Sequence, residues 1–127
     1  MSSLIPVKTA NAPAAIGPYS QAIKSGQLVF LSGQIPLVPE TMEVVEGGIE
    51  EQTHQVFKNL IAVCEAAGGD LTNASKLTIY LTDLGDFSSV NTIMAEYFSE
   101  PYPARATIQV SALPKGVAVE IDAILCL

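Results

Sequence analysis

The sequence predicts a mixed α+β domain: one sheet with two helices packed on one of its faces. Three observations carry this. Several short stretches alternate apolar and polar residues with a period of two. Two longer stretches repeat apolar residues at three- and four-residue steps. The two kinds interleave in the order β-β-α-β-α-β-β. The chain has 127 residues, and no repeat, linker or low-complexity segment divides it, so residues 1–127 are expected to form a single domain.

Taken in order, residues 12–19 (APAAIGPY) read as an ordered loop, in which Gly17 permits unusual dihedrals and Pro18 fixes the next one. Residues 19–24 and 27–31 read as strands joined at Ser25-Gly26, a hairpin signal, and residues 36–48 as a loop. Residues 49–67 are the clearest helix. Ile49, Val56, Leu60, Val63, Cys64 and Ala67 share one stripe, and Thr53 fills its gap. Glu50 and Glu51 suit the positive end of the helix dipole, and Gly68-Gly69 stops the helix.

Residues 76–82 alternate, with Leu77, Ile79 and Leu81 on one side. Asp86 is expected to cap a second helix with a stripe through Phe87, Val90, Met94 and Tyr97/Phe98, ended by Pro101 and Pro103. Residues 104–110 put Ala104, Ala106, Ile108 and Val110 on one face and Arg105, Thr107 and Gln109 on the other. After a turn at 113–116, residues 117–127 alternate again, with Val119, Ile121, Ala123 and Leu125 on one side and Glu120 and Asp122 on the other. Two amphipathic helices cover one sheet face, which should take the apolar side of each strand. The open face would then carry Arg105, Thr107, Gln109, Glu120 and Asp122 and pack against other subunits.

Composition bounds the function. The chain is 49% hydrophobic and 15% charged, with a mean hydropathy of +0.37, which excludes disorder and points to apolar surface buried between subunits. No apolar run approaches the roughly 18 residues of a membrane span. Thirteen acids against six bases give a net charge of -7, and the lysines are scattered, so nucleic acid and anionic membranes are disfavoured partners.

Cys64 and Cys126 form no CxxC, and His54 is the only histidine; no metal site and no disulfide are expected. Both cysteines read as buried thiols of a reducing compartment, and the first fifteen residues resemble no targeting signal, so the expected location is cytoplasmic. His54 reads as solvated or interfacial. Neither glycine pair, 47-48 or 68-69, forms a phosphate loop, so a nucleotide cofactor is unsupported.

Arg105 is the only arginine. With Glu120 it admits two readings. One is an ordinary ion pair between two paired strands, which the residue pattern alone favours. The other is a carboxylate-binding guanidinium beside an acid that handles a proton or a water. Ser32 and Thr107 are hydroxyls at strand ends, ordinarily bonded to backbone.

Several segments together, in order, shift that balance. Residues 12–19 (APAAIGPY), 31–36 (LSGQIP), 103–105 (PAR), 113–116 (LPKG) and 119–123 (VEIDA) closely resemble the YjgF/Rid family, the reactive intermediate imine deaminases. Residues 63–68 (VCEAAG) and 83–91 (DLGDFSSVN) are similar to it as well. The resemblance implies a chorismate-mutase-like α+β fold and a homotrimer with active sites in clefts between subunits. It also implies cofactor-independent hydrolysis of 2-imino and 2-enamino acids, such as the tautomers of 2-aminoacrylate and 2-aminocrotonate, to 2-keto acids and ammonia. The partners it implies are small imino and keto acids and further copies of the chain.

By the same resemblance Arg105 would bind the substrate carboxylate and Glu120 would position or activate water. Tyr19, Ser32 and Gly33 would lie near the substrate, and Phe87 would supply an apolar wall. Many members carry Cys where this chain has Thr107, so a thiol mechanism is not available there; residue 107 would act through its backbone groups, or weakly through the hydroxyl. The alternative expectation is a keto-acid-binding regulator or chaperone-like protein without turnover.

Overall fold

The computed structural model describes residues 3–127. Its strands are β1 (Leu4–Val7), β2 (Ala22–Ser25), β3 (Leu28–Gln34), β4 (Ala74–Leu81), β5 (Ala104–Gln109) and β6 (Val119–Cys126). The helices are α1 (Ile49–Ala66) and α2 (Phe87–Tyr97). The strands form one sheet in the order β1-β2-β3-β6-β4-β5. All neighbours are antiparallel except β4 and β5, which are parallel and joined through α2. The mixed sheet with two helices on one face is as the sequence predicts.

The core forms where the two periodicities meet. Val56, Phe57, Leu60, Val63 and Cys64 of α1, and Val90, Ile93 and Met94 of α2, pack on Leu77, Ile79 and Leu81 of β4 and the odd-numbered side of β6. Leu60, Leu77 and Ile121 are wholly buried, each contributing about 1.5–3 kcal/mol of apolar transfer. α1 begins where the Glu51 carboxylate accepts the Gly48 N–H at 2.7 Å, and it ends at Gly68, whose φ of 93° is left-handed.

The elements differ from expectation in several places. β1 is a strand beyond those the sequence predicts, and its Pro6 is tolerated because β1 is an edge strand. Asp86 occupies the position before α2 but makes no side-chain cap bond. Asp83 does the capping one turn earlier, accepting the Gly85 N–H at 2.8 Å. Cys126 is exposed at the end of β6, not buried, because it falls on the uncovered side. Cys64 is buried, and burial, helped by the Asp70 charge, pushes its thiol up to about 12. His54 is half-buried rather than solvated: its Nδ1 lies 2.7 Å from the Tyr97 hydroxyl, which ties α1 to α2.

The largest correction concerns β5. In the parallel register Arg105 pairs with Leu77, Thr107 with Ile79 and Gln109 with Leu81, all residues of the helix-covered face. Arg105, Thr107 and Gln109 therefore point to the helix side. Ala104, Ala106 and Ile108 lie on the open side, with Glu120 and Asp122. Alternation alone turns the apolar side of β5 toward the helices. Instead Arg105 packs against Phe87, Asn91 and Met94 of α2, and the Gln109 Oε1 accepts the N–H of Leu84, ahead of that helix, at 2.9 Å. Arg105 and Glu120 do not sit on paired strands either, because β4 lies between β5 and β6.

Candidate functional site

Two clefts hold the candidate residues, one on each side of the sheet. The first, about 450 Å³, lies between α2 and the start of β5 and is lined by Arg105, Asn91, Met94 and Tyr102. The helix positions the guanidinium. Phe87 at the start of α2 lies beneath it, 5.0 Å from ring centre to Cζ, and Asn91, one turn on, accepts a bond from Nη1 at 2.6 Å. Nη1 also approaches the Met94 sulfur at 3.7 Å. Among the described residues no carboxylate pairs with Arg105, and its Nε–Nη2 edge has no partner. An arginine oriented on one side and exposed on the other is arranged to take a carboxylate on the remaining edge.

The second cleft, about 640 Å³, is lined by Tyr19, Ser32, Gly33, Glu120, Lys115 and the apolar side chains of the 13–16 loop. Its floor is an irregularity in β3: the register with β6 shifts between Leu31 and Gln34, so that Ser32 and Gly33 together span the single residue Asp122 and Gly33 comes up against the Glu120 side chain. Gly33 is needed there, because a Cβ would run into the Glu120 carboxylate. The Ser32 hydroxyl donates to the Ser20 carbonyl at 2.6 Å, fixing the loop that carries Tyr19. The same loop hangs on buried Gln21, whose Nε2 donates to the Pro13 carbonyl at 2.8 Å and whose Oε1 accepts the Thr9 N–H at 2.7 Å. Lys115 adopts a left-handed backbone, φ 57° and ψ 20°, at the rim.

Glu120 is half-buried. Burial first, and the Asp122 charge second, hold its carboxyl above the ordinary carboxylate range. Such a group exchanges protons closer to neutrality than a solvated glutamate. Among the described residues no group of three or more His, Cys, Asp or Glu is placed to hold a metal ion, and no helix is long and apolar enough to cross a membrane.

Of the residues expected in the site, Tyr19, Ser32, Gly33 and Glu120 therefore converge, and Arg105 and Phe87 converge separately. Thr107 joins neither group. Its Oγ1 is buried on the helix side and has no hydrogen-bond partner among the described residues. Asn91 and Lys115 were missed as site residues. Asn91 had a readable signal, one helical turn after Phe87 on the face toward Arg105. Lys115 lies in the LPKG segment, but its place at the cleft depends on a turn geometry unusual for lysine.

The family model described as Endoribonuclease L-PSP matches residues 9–126. A RutC family protein of Pyrococcus horikoshii is 53% identical over 116 residues, covering 91% of this chain and 92% of its own. The 2-iminobutanoate/2-iminopropanoate deaminase of Homo sapiens is 48% identical over 126 residues, covering 98% and 92%. Among solved structures, RidA from the Antarctic bacterium Psychrobacter sp. superposes with a TM-score of 0.94 at 52% identity, covering 97% of this chain and 99% of that one.

Proposed function

We propose, from the premise that this chain belongs to the Endoribonuclease L-PSP family, the family of the RutC proteins and RidA, that it hydrolyses 2-imino and 2-enamino acids to 2-keto acids and ammonia. The observation that carries this reading is Arg105: the single arginine, oriented by Phe87 and Asn91, with its outer edge open to a carboxylate. The deaminase name of the human relative supports the same chemistry. The family description speaks of an endoribonuclease, but a net charge of -7 without a basic run favours a small anion gripped by one arginine over a polyanion.

The imino acid's carboxylate binds the Nε–Nη2 edge of Arg105. Water adds to the C=N carbon as Glu120 takes its proton and passes it to the imine nitrogen, giving a carbinolamine and restoring the carboxylate. The carbinolamine hydroxyl then returns its proton through Glu120 to the leaving nitrogen, the C–N bond breaks, and the keto acid and ammonia depart. The reaction is easy in water, so one orienting cation and one proton carrier suffice.

Within one protomer the two groups sit on opposite faces of the sheet, with β4 between their strands. No small imino acid spans that separation. A homotrimer, in which the Arg105 cleft of one protomer meets the Glu120 cleft of its neighbour, brings them to one ligand. The exposed Phe30, Ile108 and Leu28 of the open face are surface that such an assembly would bury.

The test releases 2-iminobutanoate from threonine with a pyridoxal-phosphate dehydratase and follows imine decay. Acceleration that grows with the amount of this protein, and is lost in Glu120→Gln while keto-acid binding persists, is the expected result. Decay at the spontaneous rate at every protein concentration would remove the enzymatic reading.

A further inference from the structure

Glu120 has a built electrostatic neighbourhood. Asp122 follows two residues along β6 on the same open face, about 7 Å away along the strand. Tyr80 of β4 stands directly across from Glu120 in the antiparallel register, and its hydroxyl reaches diagonally to donate to Asp122 Oδ2 at 2.9 Å. Gly33 presses on Glu120 from β3. The other ionisable groups facing the carboxyl are Tyr19 and Lys115, from the loops that line the cleft. Neither pairs with it among the described residues.

We propose that Asp122, pinned by the Tyr80 hydroxyl, is a positioning residue for Glu120, a fixed negative charge that makes the neighbouring carboxylate a stronger proton acceptor. This deepens the hydrolytic reading above and rests on it. The arrangement is one-directional. Asp122 has its own hydrogen-bond donor in the Tyr80 hydroxyl, whereas no side chain among the described residues donates to or pairs with Glu120. The Tyr80 phenol is raised above its usual range, first by the hydrogen bond to Asp122 and then by burial, so it stays a donor across the neutral range. Glu120 is raised first by burial and second by Asp122, so removing the Asp122 charge removes part of the effect and leaves the burial part.

The test compares the parent with Asp122→Asn, which keeps shape and can still accept from Tyr80, and with Tyr80→Phe. Two quantities are read on each: the acidic limb of kcat/KM against pH, and the titration of the Glu120 carboxyl carbon by NMR, assigned by its loss in Glu120→Gln. Both midpoints should move to lower pH in Asp122→Asn, and the kcat/KM plateau should fall about two- to fivefold as the base weakens. Tyr80→Phe should move both in the same direction by less, because Asp122 keeps its charge and loses only its anchor. A Glu120 midpoint that stays put in Asp122→Asn overturns the proposal. A parent that turns over no imine, with the Glu120 midpoint still falling in Asp122→Asn, would sink the hydrolytic reading while upholding the electrostatic coupling.

Discussion

The Arg105 cleft and the Glu120 cleft hold opposite charges by opposite means. Arg105 is exposed, and side chains of a helix orient it: Phe87 beneath, Asn91 at one nitrogen, Met94 alongside. Glu120 is half-buried, and backbone confines it: the irregular β3, the bare Cα of Gly33 and the neighbouring strand β4. The cation keeps hydrogen-bonding capacity in reserve while the acid is held in a drier place that alters its proton affinity. One half is organised to grip an anion and the other to move a proton, and each lacks what the other has.

The largest test of this division is Arg105→Ala. Two charge-assisted hydrogen bonds at about 1.5–3 kcal/mol each predict a loss of roughly 10²- to 10⁴-fold in kcat/KM for imino acids. Keto-acid binding should weaken in parallel, since both anions use the same edge. Arg105→Lys keeps the charge without the fork and should recover little. Steady-state kinetics with calorimetric keto-acid binding check this. Parent-like values in Arg105→Ala would mean that its cleft is not the anion half.

Much of this arrangement was legible beforehand, and the failures share one cause. α1 and β6 read correctly because their periodicities run long enough to fix a face: Val119, Ile121, Ala123 and Leu125 are all buried as expected. β5 was misread because its small apolar residues resemble a core side, and which side an edge strand turns inward depends on its partner's register. That register, Leu77 with Arg105, is set by the α2 crossover and is not written in β5 itself. The motifs that single out the candidate residues do not depend on sheet parity, so the error does not bear on which residues are candidates. It bears on their grouping: the ion pair between Arg105 and Glu120 that the residue pattern alone favours does not form, and the two residues lie on opposite faces of the sheet. The Gly33–Glu120 contact was out of reach for the same reason, because it joins strands whose pairing only the fold reveals.

A smaller effect, confined to the acid half, is expected from Gly33→Ala. Gly33 has no left-handed backbone requirement, so the cost is steric: the new methyl displaces the Glu120 carboxylate. A displacement on the order of 1 Å predicts a fall in kcat on the order of 10²-fold. Keto-acid affinity through Arg105 should change by less than about threefold. A variant that lost binding and kept kcat would reverse the roles assigned to the two clefts.

The smallest effect should come from Thr107, which shares the β5 face of Arg105 yet lines neither cleft. Its buried hydroxyl has no partner among the described residues, and such a group costs about 1–3 kcal/mol against an apolar replacement of the same shape. Thr107→Val should therefore raise stability by about 1 kcal/mol, or about 3–5 °C in Tm for a chain of this size, at matched protomer concentration. Imine turnover should stay within about threefold of the parent, because only the backbone of residue 107 lies along the strand that leads to Arg105. Thermal unfolding and kinetics on one preparation settle the point. If Thr107→Val instead destabilised the protein and cut turnover a hundredfold, the hydroxyl would have a partner in the assembled, substrate-bound protein, and the anion half would extend one residue pair further along β5 than the Arg105 cleft does.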